Sequence, residues 1–165
     1  AALLPKDTPA ELAVSDFLDV FGADMDIGAA FTDAAGSTLA ITKALFHDGA
    51  GSFKWLEKAD KAERLQYINL LAMTLIEPDE IWWSWEKDVA NTKENPDALL
   101  KWRLKRRYLK SFEIDGEEKY AIGVFEWGRT GWSGSTIFTT RDADSEAKQF
   151  KYFDGQRKGR LVFKK

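Results

Sequence analysis

The hydrophobic period of this chain changes across one proline, and that change constrains the fold more than any other feature. Before Pro78, the residues Leu65, Ile68, Leu71, Ala72 and Leu75 recur at helical spacing, which predicts an amphipathic helix over about residues 59 to 76. Proline lacks the amide proton and its ring clashes with the preceding turn, so Pro78 ends that helix. From Ile81 onward the period is two, as in Trp102, Leu104 and later Tyr108, and again in Tyr120, Ile122 and Val124. Asp115 and Gly116 between two such runs mark a hairpin. A further strand is expected over about 134 to 141, holding Ile137, Thr139 and Thr140 after a glycine-rich turn from Gly128 to Gly134. Leu161 to Phe163 supplies a last short strand. Helices first and an antiparallel meander afterwards define an α+β domain, with the helix before Pro78 packed on the sheet.

Upstream, Thr8, Pro9, Ala10 and Glu11 read as a capping box with proline at the first helical position. Leu12, Phe17, Val20 and Phe21 come next at helical spacing, which predicts a helix over about 9 to 21. Gly22, Gly28 and Gly36 punctuate the stretch after that helix, and residues 39 to 42 form a short extended piece. The chain of 165 residues, 44% hydrophobic and 13% aromatic, buries one sizeable core. The expected division is an acidic N-terminal helical extension over 1–38 and one domain over 39–165.

Charge is divided along the chain in a way that the net value of -3 conceals. Residues 1 to 40 carry Asp7, Glu11, Asp16, Asp19, Asp24, Asp26 and Asp33 against Lys6 alone. Residues 101 to 110 carry six bases and no acid, and the last eighteen residues carry seven bases against Asp154. A basic footprint confined to the C-terminal half suits a polyanion partner. The acidic segment is then a candidate autoinhibitory arm that folds back on the basic face.

Zero cysteines exclude disulfides, thiolate zinc sites and a cysteine nucleophile, and the single histidine argues against a histidine-based metal site. No metal and no cofactor are expected. No apolar run of about 18 residues could span a bilayer, and no signal-peptide pattern is present, so the chain reads as soluble. Its chemistry must rest on lysines, arginines, His47, hydroxyls or carboxylates.

A glycine loop with one lysine (Gly51, Ser52, Phe53, Lys54) precedes Lys58, Lys61 and Arg64, and the segment closes on Glu77, Pro78, Asp79, Glu80, Ile81 and Trp82. The tail holds Tyr152, Asp154, Gln156, Arg157, Gly159, Arg160, Leu161 and Val162. In this order the chain resembles the phage branch of the barnase, EndoU, colicin and RelE-like nucleases over roughly residues 39 to 165. Domains of that branch are often found at the C-terminus of MuF-type phage head proteins and of polymorphic toxins. The resemblance implies a barnase/EndoU/colicin/RelE-like fold and a metal-independent ribonuclease toxin or effector domain. Its expected products are a 2′,3′-cyclic phosphate and a 5′-hydroxyl, from RNA with tRNA among the candidate targets. It also implies a cognate acidic immunity protein, and a phage-encoded or secreted origin with action in the bacterial cytoplasm.

The candidate residues are chosen for that chemistry, which needs a base for the ribose hydroxyl, positive charge for the phosphorane and an acid for the leaving oxygen. Lys54 lies between Phe53 and Trp55, whose apolar rings would partly desolvate its amine; the alternative is a surface lysine with its stem on an aromatic. Arg64, near the start of the second helix, could grip a phosphate or stand as a solvated helix arginine, and Lys58 is a candidate phosphate contact. His47 alone titrates near neutrality without perturbation, although a loop histidine after Phe46 need not be a catalyst. Thr139 and Thr140 fall on a late strand where related nucleases place a hydroxyl, and only one of the two can face a cleft. Arg157 matches the family tail of an aromatic, an arginine and a glycine; Arg160 is either a second phosphate contact or part of a basic edge strand. Among the tryptophans, most are expected in the core, and Trp132, in the glycine turn with Arg129, is the candidate base contact. The competing function is a catalytically inactive nucleic-acid-binding or head-associated structural module on the same scaffold.

Overall fold

The change of period at Pro78 is realised as a helix that feeds a five-stranded antiparallel sheet. The computed structural model describes residues 3–5, 7–46, 65–87, 102–114, 116–128, 131–139 and 145–165. Helix α1 spans Ala10–Val20, strands β1 and β2 span Ala29–Thr32 and Thr38–Ile41, and a 3-10 turn covers Lys43–Phe46. Helix α2, Ile68–Ile76, precedes β3, Glu80–Lys87, β4, Trp102–Ile114, β5, Glu117–Gly128, and β6, Gly131–Thr139. Helix α3, Glu146–Asp154, and strand β7, Arg160–Lys164, complete the chain. The large sheet has the order β6-β5-β4-β3-β7, so β3 to β6 form the expected meander and β7 returns to the free side of β3. Strands β1 and β2 form a separate hairpin. The fold is α+β. Among the described residues no helix is long and apolar enough to cross a membrane.

The two faces of the sheet are covered by different helices, and this decides which residues remain available for chemistry. On one face Ala13, Val14, Phe17 and Leu18 of α1 join Leu39 and Ile41 of β2, Leu45 and Phe46 of the 3-10 turn, and Ile68, Leu71 and Leu75 of α2 in a single core with Ile81 and Tyr108. On the other face Leu109, Tyr120 and Ile122 receive Phe153 of α3 and Trp82. Among the described residues, the cover on that second face comes from α3, which is short and mostly exposed.

The first core contains a buried ionic network. Asp33, in the β1–β2 turn, accepts the backbone N–H groups of Ala35 and Ser37 on Oδ1 at 3.0 and 2.9 Å. On Oδ2 it accepts the guanidinium of Arg106 at 3.2 Å and the phenol of Tyr108. The Asp33 and Arg106 side chains are 0% and 2% exposed, and the Arg106 guanidinium lies 5.1 Å from the Trp83 ring centre. Burial, opposed by the Arg106 charge and reinforced by the bond to Asp33, pushes the Tyr108 phenol well above its usual range. One acid of the N-terminal segment and one base of the 101 to 110 run thus serve packing.

Several local expectations need correction. Thr8 does not cap α1: Pro9 holds the N-cap position, and the Thr8 hydroxyl donates to the Pro5 carbonyl at 2.7 Å. The turn expected from Gly128 to Gly134 is shorter, since β6 begins at Gly131 and Trp132 stands opposite Trp127 in the ladder. Helix α3 was not expected; Ser145 caps it by accepting the Lys148 N–H at 3.2 Å, but only Phe153 along it is buried, so its apolar stripe is too narrow to read. Residues 59 to 64 of the helix expected before Pro78 lie outside the described residues.

Candidate active site

The face of the sheet that receives α3 carries the described polar cluster best suited to chemistry. Because successive residues of a strand point to opposite faces, the basic run of β4 divides: Arg106 enters the core, while Lys105 and Arg107 face α3. Arg107 stands opposite Trp82 of β3 and runs along the sheet toward Ser84 and Glu86. Its Nη1 donates to Ser84 Oγ at 2.9 Å and to Glu86 Oε2, its Nη2 donates to Glu86 Oε1 at 3.1 Å, and its Nε donates to Gln156 Oε1 at 3.1 Å. Ser84 Oγ in turn donates to Glu86 Oε2.

The cluster is dry on the arginine side and open on the carboxylate side, with side-chain exposures of 6% for Arg107 and 24% for Glu86. Partial burial acts most strongly on Glu86 and favours its neutral form. The hydrogen bonds from Arg107 and Ser84, with the charges of Arg107 and Lys105, outweigh it and hold the carboxyl down at about 2. Glu86 is therefore an anion at neutral pH, beside a cation whose fork geometry matches a phosphate as well as a carboxylate.

A second polar group lies on the same face at the start of β3. Arg157 donates from Nε to both oxygens of Glu80 at 3.1 Å, from Nη2 to Glu80 Oε2 at 2.8 Å, and from Nη1 to Asp154 Oδ1 at 2.8 Å. Trp82 Nε1 also donates to Glu80, at 3.0 Å. Hydrogen bonding to Glu80 is the main effect that raises the Arg157 pKa. Gln156 and Arg157 are delivered by a turn that only glycine permits. Gly159 has φ 83°, and a Cβ there would meet the Trp83 carbonyl and lie 2.7 Å from Ser84 Cβ. The tail glycine singled out in the sequence thus presses the turn between α3 and β7 against β3.

The remaining sequence candidates fall elsewhere. Lys54, Lys58, Arg64, His47 and Thr140 lie outside the described residues. Thr139 ends β6 opposite Ala121, which pairs in turn with Lys110, so the backbone register sets it in a cross-sheet row away from Arg107. Trp132 lies in β6 and Arg160 is exposed on β7, opposite Trp83. Among the sequence candidates within the described residues, Arg157 is the one brought beside the cluster. Sequence reasoning missed Arg107, Glu86 and Ser84 and named Gln156 only within the tail pattern; the available signal was the strand period, which places Arg103, Lys105 and Arg107 on one face. Among the described residues no three His, Asp or Glu side chains converge as a metal site.

The model of the family described as phage-Barnase-EndoU-ColicinE5/D-RelE like nuclease2 covers residues 16–164. No curated protein and no solved structure matches the chain.

Proposed function

Since this chain belongs to the phage-Barnase-EndoU-ColicinE5/D-RelE like nuclease2 family, we propose that it cleaves RNA at the Arg107–Glu86–Ser84 cluster, without a metal ion. In this reaction the ribose 2′-oxygen bonds to the adjacent phosphorus and the bond from phosphorus to the 5′-oxygen breaks. A 2′,3′-cyclic phosphate and a 5′-hydroxyl remain. The 2′-hydroxyl proton passes to a base, and the leaving oxygen takes up a proton.

The observation that carries this reading is the Arg107–Glu86 pair beside Lys105, half-closed to water. A carboxylate held at about 2 is a weak base while Arg107 grips it. A substrate phosphate that takes over the Arg107 donors releases Glu86, and its basicity then rises toward the ordinary carboxylate range. Phosphate binding and activation of the base are thereby coupled through one guanidinium. Lys54 and His47 keep their candidacy for the second proton transfer, Arg64 and Lys58 for phosphate binding, and Arg157 for holding the tail that presents Gln156. We infer an effector that acts on RNA, tRNA included, in a bacterial cytoplasm and that an acidic immunity protein neutralises.

A second reading, a catalytically inactive nucleic-acid-binding or head-associated module, draws support from one observation: carboxylates engage both Arg107 and Arg157. The two readings separate on an RNA oligonucleotide and its 2′-O-methyl counterpart incubated with the protein in EDTA. Cleavage of the first alone, with cyclic-phosphate ends, supports the ribonuclease. Binding of both with cleavage of neither supports the silent module, and cleavage that needs added Mg²⁺ overturns the metal-free mechanism.

A further inference from the structure

The guanidinium of Arg107 has two edges that can chelate an anion, and their surroundings differ. Its end edge, Nη1 with Nη2, faces Glu86: Nη1 donates to Oε2, and Nη2 donates to Oε1 at 3.1 Å. Its side edge, Nε with Nη2, faces the tail, where Nε donates to Gln156 Oε1 at 3.1 Å. Either edge of an arginine fits two oxygens of a phosphate. Only a phosphate on the end edge takes the donors that Glu86 holds, so only that mode releases the base.

Gln156 is fixed where it stands. It is half-buried, its backbone N–H donates to the Phe153 carbonyl at 3.0 Å, and its own carbonyl accepts the Lys158 N–H at 2.9 Å. Its Nε2 donates to the Tyr152 carbonyl at 3.4 Å, which turns Oε1 toward Arg107. Around it the tail is anchored by Arg157 to Glu80 and Asp154, and by Gly159 against Ser84. The acceptor is also neutral. A carboxylate in its place would give Arg107 a second anion and repel a phosphate, whereas an amide oxygen occupies Nε and leaves the charge to the substrate. We propose that Gln156 is a positioning residue that closes the side edge of Arg107, so that the substrate phosphate engages the end edge and displaces Glu86. This rests on the ribonuclease reading above. Without Gln156 a phosphate binds the side edge, Arg107 keeps its grip on Glu86, and the complex forms without being cleaved.

The test measures kcat and KM for a short RNA in EDTA, together with binding of its 2′-O-methyl counterpart, which has no free nucleophile. Gln156→Ala opens the side edge and is expected to lower kcat by about 10-fold to 100-fold, the scale of a misplaced reacting group. Its KM and its affinity for the 2′-O-methyl strand should stay within about 2-fold of the wild type or tighten. Gln156→Glu keeps an acceptor on Nε and is expected to regain most of that kcat, with KM raised by about 10-fold from the added charge. A contact that only steadied Arg107 for binding would instead raise KM in Gln156→Ala. A Gln156→Ala protein with raised KM, or with kcat unchanged, therefore overturns the positioning role. So does a Gln156→Glu protein whose kcat falls as far as that of Gln156→Ala. In each of these results the wild type still cleaves, and the ribonuclease reading stands. A wild type that cleaves no RNA in EDTA removes that reading, and the role of Gln156 with it.

Discussion

Arg106 and Arg107 are adjacent in sequence and opposite in role, because a strand turns successive side chains to different faces. Arg106 is sealed in the core against Asp33 and Tyr108, so Asp33→Ala leaves a buried guanidinium without its carboxylate. We expect that change to cost roughly 3–5 kcal/mol, as losing one partner of a buried pair does, measured by urea unfolding. Arg107 instead fixes the charge of Glu86. The Glu86 carboxyl lies at about 2, below its usual 4.5, so the ionised form stabilises the fold. That contribution is complete above the usual value and is lost as pH falls toward the folded one. Urea midpoints of the wild type and Glu86→Gln should therefore converge as the pH is lowered from 5 toward 2; a constant gap would show that the carboxylate gains nothing from Arg107. In the sequence the six bases from 101 to 110 were visible as a block, and their division was implicit in the strand period. The contact of Gln156 stayed hidden, because a bond across 49 positions is set by the tail's path and not by any local pattern.

At the scale of elements, the tail is the piece that couples the fold to the site. Gly159 has a left-handed backbone, and a side chain there would meet β3. Gly159→Ala should cost at least about 2 kcal/mol, from the conformational strain and the backbone clash together. It should also loosen Gln156 from Arg107, which would appear as faster amide exchange in β7 than in β5. Unchanged exchange and stability would mean that the turn shifts freely. The sequence marked this glycine through the tail pattern but left its reason open, since only the course of β7 beside β3 brings Trp83 and Ser84 against it. Strands β3 to β6 were readable because their apolar residues alternate. Helix α3 was not, since its packing rests on Phe153 with Phe150 and Tyr152 left about half exposed.

For the whole molecule, the α+β order and the helix stop at Pro78 were legible from period alone, and the cover on each face of the sheet was not. Helix α1 contributes Ala13, Val14, Phe17 and Leu18 to the same core as Ile81 and Tyr108. Removing residues 1–37 exposes that core and frees Arg106 from Asp33. The truncated chain is expected to lose cooperative thermal unfolding; a truncated chain that unfolds cooperatively and binds RNA as before would make the segment a separable extension. The proposed roles of Arg107 and Glu86 in cleavage are tested by single-turnover cleavage of a short RNA in EDTA. The proteins compared are wild type, Arg107→Ala, Glu86→Gln and Lys54→Ala, each first shown to be folded by circular dichroism. Arg107→Ala and Glu86→Gln are each expected to slow cleavage by about 100-fold or more, the scale of a lost proton-transfer or charge-stabilising group. Cleavage by folded Arg107→Ala and Glu86→Gln at the wild-type rate, with Lys54→Ala inactive, would contradict those roles and move the site to the glycine loop.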